Sequence, residues 1–459
     1  MSFTTDESRW SDVWLVAAAR GTTICGDFLA ATALALALQG AGAGGLAVSG
    51  LLLAATLPLV VLAPLAGRLA DRTDSRTLLV TVGFAQAAIC ALLAVVEQPV
   101  LVIGLVTLLA CGLAVTQPCL AALLPKMVRP ADLPRASAIS QTAVSLGALG
   151  GPVLAGLLVG QFGTRVPLLL DSATYLALVV AGLLLRTRRG GRRPAASSGA
   201  AASQTPAASS PAVSGGVPTP GGTEIEWRLR RDPLMLVMVV STAVVIAAIG
   251  GINVIEVFFI RETLGGSATT YGLVSAAWMA GMLPGTWLAV RLARRLDDDG
   301  ALVRGVLATL AVCSLMVLLA ATVPAAGVLV PLWLVGGAAN GGENVFANLL
   351  TARRVPEAMR ARAYASYGAA VQGGSMAGFL IGGALLVVVP PRPLIAGAGV
   401  VGLLVVLVFV PVVTRAVRRS SHAGLATPGR PAEPAPDAGD TVGPWLSASH
   451  ARGSGTSSS

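Results

Sequence analysis

The sequence predicts an all-α membrane protein, twelve transmembrane helices in two six-helix halves. Three observations carry that prediction. First, 54% of the 459 residues are hydrophobic and mean hydropathy is +0.77, whereas a soluble domain has roughly 45–50% apolar residues even with glycine counted. The apolar residues come in blocks of about 20, enough to cross a hydrocarbon core about 30 Å thick. Second, arginines gather in alternate loops. Third, the chain repeats itself.

The first six spans are expected near 17–40, 46–66, 77–96, 99–124, 136–160 and 164–186. The second six are expected near 233–258, 269–292, 302–323, 326–351, 363–389 and 393–414. Residues 1–16 then form a cytoplasmic N-terminal segment, 17–186 one half and 233–414 the other. The apolar run after MSFTTDESRWSDVW is long and lacks a clear cleavage site, so it reads as an uncleaved first helix. Residues 187–232, rich in Ala, Ser, Pro and Gly, cannot bury a core and read as a disordered cytoplasmic linker. Residues 415–459 read as a disordered cytoplasmic tail.

Charge sets the orientation. One side collects Arg68, Arg72 and Arg76, then Lys126, Arg129 and Arg135, the linker cluster, Arg291, Arg294 and Arg295, then Arg353, Arg354, Arg360 and Arg362, and finally Arg415, Arg418 and Arg419. The other side has Arg165, Arg261 and Arg392, one in each of three loops. Positive loops stay inside, so both termini are expected in the cytoplasm and the protein in the cell membrane. The same rule accounts for the net charge of +10 without a nucleic-acid partner. Five cysteines lie in apolar runs without metal-ligand spacing, and both histidines, His422 and His450, are in the tail. No metal and no cofactor are expected, and no histidine can relay protons within the membrane.

Two matches reveal the repeat. LAGRLADRTD (65–74) pairs with LAVRLARRLD (288–297), and RASAISQTAVSLGALGGPVLAGLL (135–158) pairs without a gap with RAYASYGAAVQGGSMAGFLIGGAL (362–385). The offsets are 288 − 65 = 223 and 362 − 135 = 227 residues. Shared positions include Gly147/Gly374, Gly151/Gly378 and Gly156/Gly383. Two matches in the same order at nearly the same offset argue for duplicated halves, as in transporters built from parallel repeats.

GRLADRTDSR, with five charges between Arg68 and Arg76 in a chain only 12% charged, resembles the loop 2–3 signature of the major facilitator superfamily. Gly67, Leu69, Asp71, Arg72 and Arg76 fall on the pattern, while Asp74 stands where the family usually has glycine. ARGTTICGDFLAATALALAL, LLPKMVRPADLPRASAIS, GGPVLAGLLVGQFG, EIEWRLRRDPLMLV and NGGENVFANLLTARRVPEAMRARAYA are similar to segments of proton-driven exporters of the macrolide-efflux and enterobactin-exporter type. The resemblance implies the major facilitator fold. It also implies a cytoplasmic gate at Gly67, Asp71, Arg72 and Arg76, in which Asp71 latches the outward-facing state near the start of helix eleven. The dipole of that helix N-terminus favours a nearby carboxylate. One departure matters: many proton-coupled drug antiporters carry an arginine deep in helix four, and LVIGLVTLLACGLAVTQPCLAALL has none.

Four acidic residues, Asp27, Asp171, Glu256 and Glu343, fall within spans. An ionised carboxylate in lipid costs about 2.5–3.5 kcal/mol on the insertion scale, so such residues face a bundle interior or a wet cavity. Asp27 is close to mid-membrane and leads as the proton-coupling residue, with Glu343 next. Asp171 and Glu256 lie nearer the outer ends, where structural hydrogen bonding competes with function. Helix ten carries Asn340, Asn344 and Asn348 at four-residue spacing with Glu343 on nearly the same face. By the 227 offset Asn344 corresponds to Gln117 in helix four, so Gln117, Asn340, Glu343 and Asn344 are candidate pocket residues; interhelical hydrogen bonding is the alternative. Gly147, Gly151 and Pro152 on helix five, and Gly374, Gly378 and Gly382 on helix eleven, are expected as helix-packing positions.

The expected function is secondary active export of small amphipathic organic molecules (drugs, secondary metabolites or siderophores) by alternating access, driven by protons, by a monomer in the bilayer. Uptake of a small metabolite and a non-transporting receptor or scaffold are the alternatives. No nucleophile with a base, metal cluster or Walker loop suggests an enzyme.

Overall fold

The structure, a computed structural model, describes residues 8–63, 65, 68–69, 73–185, 232–296 and 298–425. In lipid every backbone N–H and C=O must find a partner within the chain, so apolar blocks of this length become helices. Twelve long helices form, with no strand among the described residues. The first half holds α1 (Trp10–Gly40), α2 (Gly44–Val61), α3 (Ser75–Leu93), α4 (Pro99–Met127), α5 (Leu133–Phe162) and α6 (Arg165–Leu184). The second holds α7 (Pro233–Gly250), α8 (Ala268–Ala293), α9 (Asp299–Ala320), α10 (Leu329–Arg354), α11 (Glu357–Leu385) and α12 (Pro391–Leu425). Past Gly251, α7 continues through Ile252–Phe258 and a π turn, Phe259–Thr263. Ten of these helical spans are long and apolar enough to cross a membrane; α10 and α11 are the two that fall short.

Both ends differ from the sequence expectation. α1 starts at Trp10 rather than residue 17, because the Arg9 N–H donates to the Met127 carbonyl at 2.8 Å and the Arg135 guanidinium lies 4.9 Å over the Trp10 ring. α12 continues to Leu425, past the expected end at residue 414; no proline interrupts residues 412–425. The expected disordered linker at 187–232, apart from Asp232, and the tail beyond 425 lie outside the described residues, as do Gly67, Asp71 and Arg72 of the expected gate. Arg76 is described and sits in the first turn of α3. Asp74, unusual for the family pattern, has a local role: its carboxylate accepts from the Thr77 N–H at 3.4 Å and N-caps α3.

Loops alternate between two faces: the first-loop face, with the α1–α2 turn, and the second-loop face opposite. On the first-loop face the two halves share one apolar core, which joins Leu34, Val48 and Val102 to Val257, Phe259, Val274 and Ala320. Toward the second-loop face each half has its own core, around Leu123, Met127 and Tyr175 in the first and Met235, Met238 and Leu350 in the second.

The glycine stripes pack helices within each half. A Cβ at Gly151 would lie 2.7 Å from the Cys25 carbonyl oxygen, and one at Gly147 would meet the Gly21 carbonyl, both on α1. Cβ atoms at Gly374 and Gly378 would lie 2.5 Å and 2.8 Å from the Ala243 and Ala247 carbonyl oxygens of α7, and one at Gly382 2.8 Å from the Gly251 Cα. So α5 lies on α1 as α11 lies on α7. The repeat-related pair Gly156 and Gly383 does something else: it joins the halves on the first-loop face. A Cβ at Gly156 would lie 2.7 Å from the Ala268 carbonyl oxygen of α8, and one at Gly383 2.7 Å from the Gly45 carbonyl oxygen of α2. Hydrogen bonds from Ser49 Oγ to the Phe379 carbonyl (2.6 Å), Thr269 Oγ1 to the Gly156 carbonyl (3.2 Å) and Gln39 Nε2 to Glu262 Oε1 (3.0 Å) close the same face.

On the second-loop face Arg354 ties three helices together. Its Nε donates to Asp232 Oδ2 at 2.8 Å and an Nη to Asp299 Oδ2 at 3.1 Å, while Asp232 also accepts from the Leu234 and Met235 N–H groups to cap α7. Arg354→Ala leaves the buried Asp232 carboxylate without its cation. The loss of about 2 kcal/mol should lower the thermal midpoint of the detergent-solubilised protein, measured by intrinsic fluorescence, by several degrees. Arg354→Lys should restore only part of it, since an ammonium lacks the guanidinium fork.

Candidate functional site

Between the halves lies a cavity of about 450 Å³. Its lining comes mostly from α7, α8, α10 and α11; the first half contributes Phe28, Ala31, Thr32 and Ala35 of α1, Leu52 of α2 and Pro152 of α5. The wall from α10 follows from spacing. Asn340, Glu343 and Asn344 are three and four residues apart, so a helix turns them to one side, and all three line the cavity. The Asn344 Nδ2 donates to the Asn340 carbonyl at 2.9 Å, a bond within its own helix. Asn348 and Gln117 do not line this cavity.

Glu343 is 2% exposed and held from two other helices. Tyr367 Oη of α11 donates to its Oε1 at 2.5 Å and Thr242 Oγ1 of α7 at 3.4 Å. One carboxylate thus links α7, α10 and α11 at the cavity wall. Glu256, on the continuation of α7, also lines the cavity and is 8% exposed. Trp333 lies beside the Glu256 carboxylate, and Glu256 Oε1 has no hydrogen-bond partner among the described residues.

Asp27 sits elsewhere. Its Oδ1 accepts from Tyr175 Oη of α6 at 2.5 Å, and it is not among the cavity residues, although its neighbour Phe28 is. Asp171, on α6, is fully buried; its oxygens accept from Cys90 Sγ at 3.1 Å and Thr174 Oγ1 at 3.2 Å. Gly26 leaves room for it, since a Cβ there would meet Asp171 Oδ1 and lie 2.5 Å from Thr174 Oγ1. The first half therefore holds two carboxylates in a hydrogen-bonded cluster of α1, α3 and α6, and the second half places two on the cavity.

The family model described as Major Facilitator Superfamily matches residues 16–255 and 238–452. The chain belongs to this superfamily. As a major facilitator protein it is a multi-pass membrane transporter. No curated protein matches it. Among solved structures, it is similar to a bacterial homolog of the human lysosomal transporter Spinster in an inward-facing, unoccupied conformation (14% identity, 92% of this chain and 99% of that one, TM-score 0.64). It is also similar to an autoinhibited POT family peptide transporter (12% identity, 88% and 97%, TM-score 0.66). A third is the nucleoside transporter NupG (15% identity, 89% and 98%, TM-score 0.64). At these identities the likeness is one of fold.

The major facilitator sequence hides part of its cavity. Tyr271, Trp278 and Trp333 line it, and the two indoles meet edge to face, with ring centroids 6.2 Å apart and planes at 76°. Tryptophans inside spans α8 and α10 were a usable signal, because indoles favour the membrane interface and these two lie among helix–helix contacts instead. Glu256, with structural bonding as its competing role, keeps Oε1 without a hydrogen-bond partner among the described residues.

Proposed function

We propose that this major facilitator protein is a proton-coupled exporter of small amphipathic organic molecules. The observation that carries the reading is the cavity between two repeat-related halves, apolar over much of its wall and crossed by the Asn340–Glu343–Asn344 stripe. Export is supported by the sequence likeness to macrolide-efflux and enterobactin-exporter proteins. The positive loops favour a cytoplasmic second-loop face in a cell-membrane protein with both termini inside, and a monomer is the proposed working form. On that orientation, the shared core of the first-loop face closes the outside, and the separate cores let the halves part toward the cytoplasm. Gly67, Asp71, Arg72 and Arg76 would then latch the cytoplasmic side in the opposite state.

Proton coupling is assigned to Asp27 or Glu343. Position favours Glu343, because it shares the cavity with the substrate and joins three helices there, whereas Asp27 faces Tyr175. Transport of a compound panel into inverted vesicles with an imposed proton gradient tests the whole reading. Accumulation that collapses with the gradient is expected. Movement only in the opposite sense would make it an uptake permease, and no movement of any compound would favour a receptor or scaffold.

Orientation has its own test. In a variant without native cysteines, Ala41→Cys in the α1–α2 turn should react with impermeant maleimide on intact cells, and Ser209→Cys in the linker should not. Ala41 is chosen over its neighbour Gly42, whose φ of +68° disfavours any side chain. Labelling of Ser209→Cys in sealed cells would reverse the topology.

A further inference from the structure

We propose that the cavity selects organic cations, with Glu256 as the charge partner and the Trp278–Trp333 pair as the aromatic face. This rests on the reading of the cavity as the substrate site, and it names the substrate class. The carboxylate of Glu256 lines the cavity, is more than nine-tenths buried, and keeps Oε1 without a hydrogen-bond partner among the described residues. Buried polar groups nearly always find partners, and this orphaned oxygen belongs to a residue of the cavity wall, so a ligand group that reached it would satisfy it. Trp333 lies beside this carboxylate and stands edge to face with Trp278, so charge and π surface lie side by side. Tyr271 adds a third ring to the same wall. A positive charge is attracted both by a carboxylate and by the faces of aromatic rings.

The rest of the lining points the same way. Glu256 and Glu343 are its charged residues, and no Lys, Arg or His lines the cavity among the described residues. A site with two carboxylates and no basic side chain offers an anion nothing to pair with, while a cation entering it would favour and pair with an ionised carboxylate. The hydroxyls of Tyr367 and Thr242 both meet Glu343 at Oε1, whereas Oε1 of Glu256 has no hydrogen-bond partner among the described residues. Bulky anionic chelates, such as siderophores, are therefore poor candidates, and amphipathic amines or quaternary ammonium compounds are good ones.

Tetraphenylphosphonium and tetraphenylborate, near-identical in shape and opposite in charge, make the test. Binding of each to the purified full-length protein in nanodiscs is measured by equilibrium dialysis and by quenching of tryptophan fluorescence. The cation should bind saturably and the anion should not. Glu256→Gln should weaken cation binding by roughly tenfold or more, and Trp333→Phe or Trp278→Leu by a smaller factor. Equal or tighter binding of the anion to the wild-type protein overturns the proposal, and this needs no variant to fold. Cation affinity unchanged in a folded Glu256→Gln protein overturns it too. Saturable, Glu256-dependent cation binding supports it even if vesicles transport nothing, a result that would count against the exporter reading alone.

Discussion

Glu343→Gln is expected to abolish proton-driven accumulation of substrate while leaving substrate-for-substrate exchange intact. Glutamine keeps the shape of a protonated glutamate and can still meet Tyr367 and Thr242, which now bond to Oε1, so α7, α10 and α11 should stay joined. What disappears is the change of charge. In the cavity wall, a carboxylate that alternates between charged and neutral changes how strongly it holds those two hydroxyls, and hydrogen bonds to a charged group are roughly twice as strong as neutral ones. Without that alternation the proton gradient has nothing to act on, and substrate should equilibrate to equal concentrations on both sides. The measurement is accumulation in inverted vesicles alongside counterflow exchange. The parallel variant Asp27→Asn decides the assignment: if it abolishes accumulation and Glu343→Gln does not, the coupling residue is Asp27, in the cluster closed by Tyr175.

The second large effect is expected at the repeat-related glycines that join the halves. Gly156→Val and Gly383→Val place a branched side chain where even a Cβ would lie 2.7 Å from a backbone oxygen, Ala268 for the first and Gly45 for the second. Overpacking of this kind costs about 1–3 kcal/mol. The cost falls on one state alone, that in which the first-loop face is shut. Its population relative to the opposite state should drop roughly five- to 150-fold, and transport with it. Spin labels at Leu46 and Val387, exposed residues on that face, should report a longer and broader distance distribution. Valine at Gly147 or Gly374, inside a half, should instead lower expression, because α1 on α5 and α7 on α11 are needed in both states. Wild-type transport and unchanged distances in both Gly156→Val and Gly383→Val would remove these glycines from the seal.

The contrast between the two glycine pairs shows what sequence could reveal. Four-residue spacing marks close helix approach, and Gly147, Gly151, Gly374 and Gly378 do make it. Spacing cannot say which helix approaches, so the different partners of Gly156 and Gly383 were invisible. The architecture was legible because length and hydropathy act locally: an apolar block of about 20 residues has few alternatives in lipid. The polar stripe of α10 was legible for the same reason, since three residues on one helix share one face. Gln117 shows the limit. Its link to Asn344 through the repeat offset is sound as alignment, but the cavity is lined mainly by the second half, and symmetry of sequence did not carry symmetry of lining. Glu256 and the two tryptophans lie on different helices, and only packing brings them together.

The helices that bring Asn340, Glu343, Asn344 and Tyr367 to the cavity, α10 and α11, are also the two that fall short of the apolarity needed to cross a membrane. That has a consequence for how the protein is made. A segment carrying Asn340, Glu343 and Asn344 partitions poorly from the translocon into lipid on its own, because each polar group pushes its insertion free energy upward. α8 and α9, emerging earlier and apolar enough to cross, are available to receive it; α10 packs against both, with Gly337 and Gly341 directly against α8 and Phe346 against Gly305 of α9. On this account the second half is assembled as a bundle at the point of synthesis, with the polar wall of its cavity already sheltered from lipid, rather than as six helices released one by one.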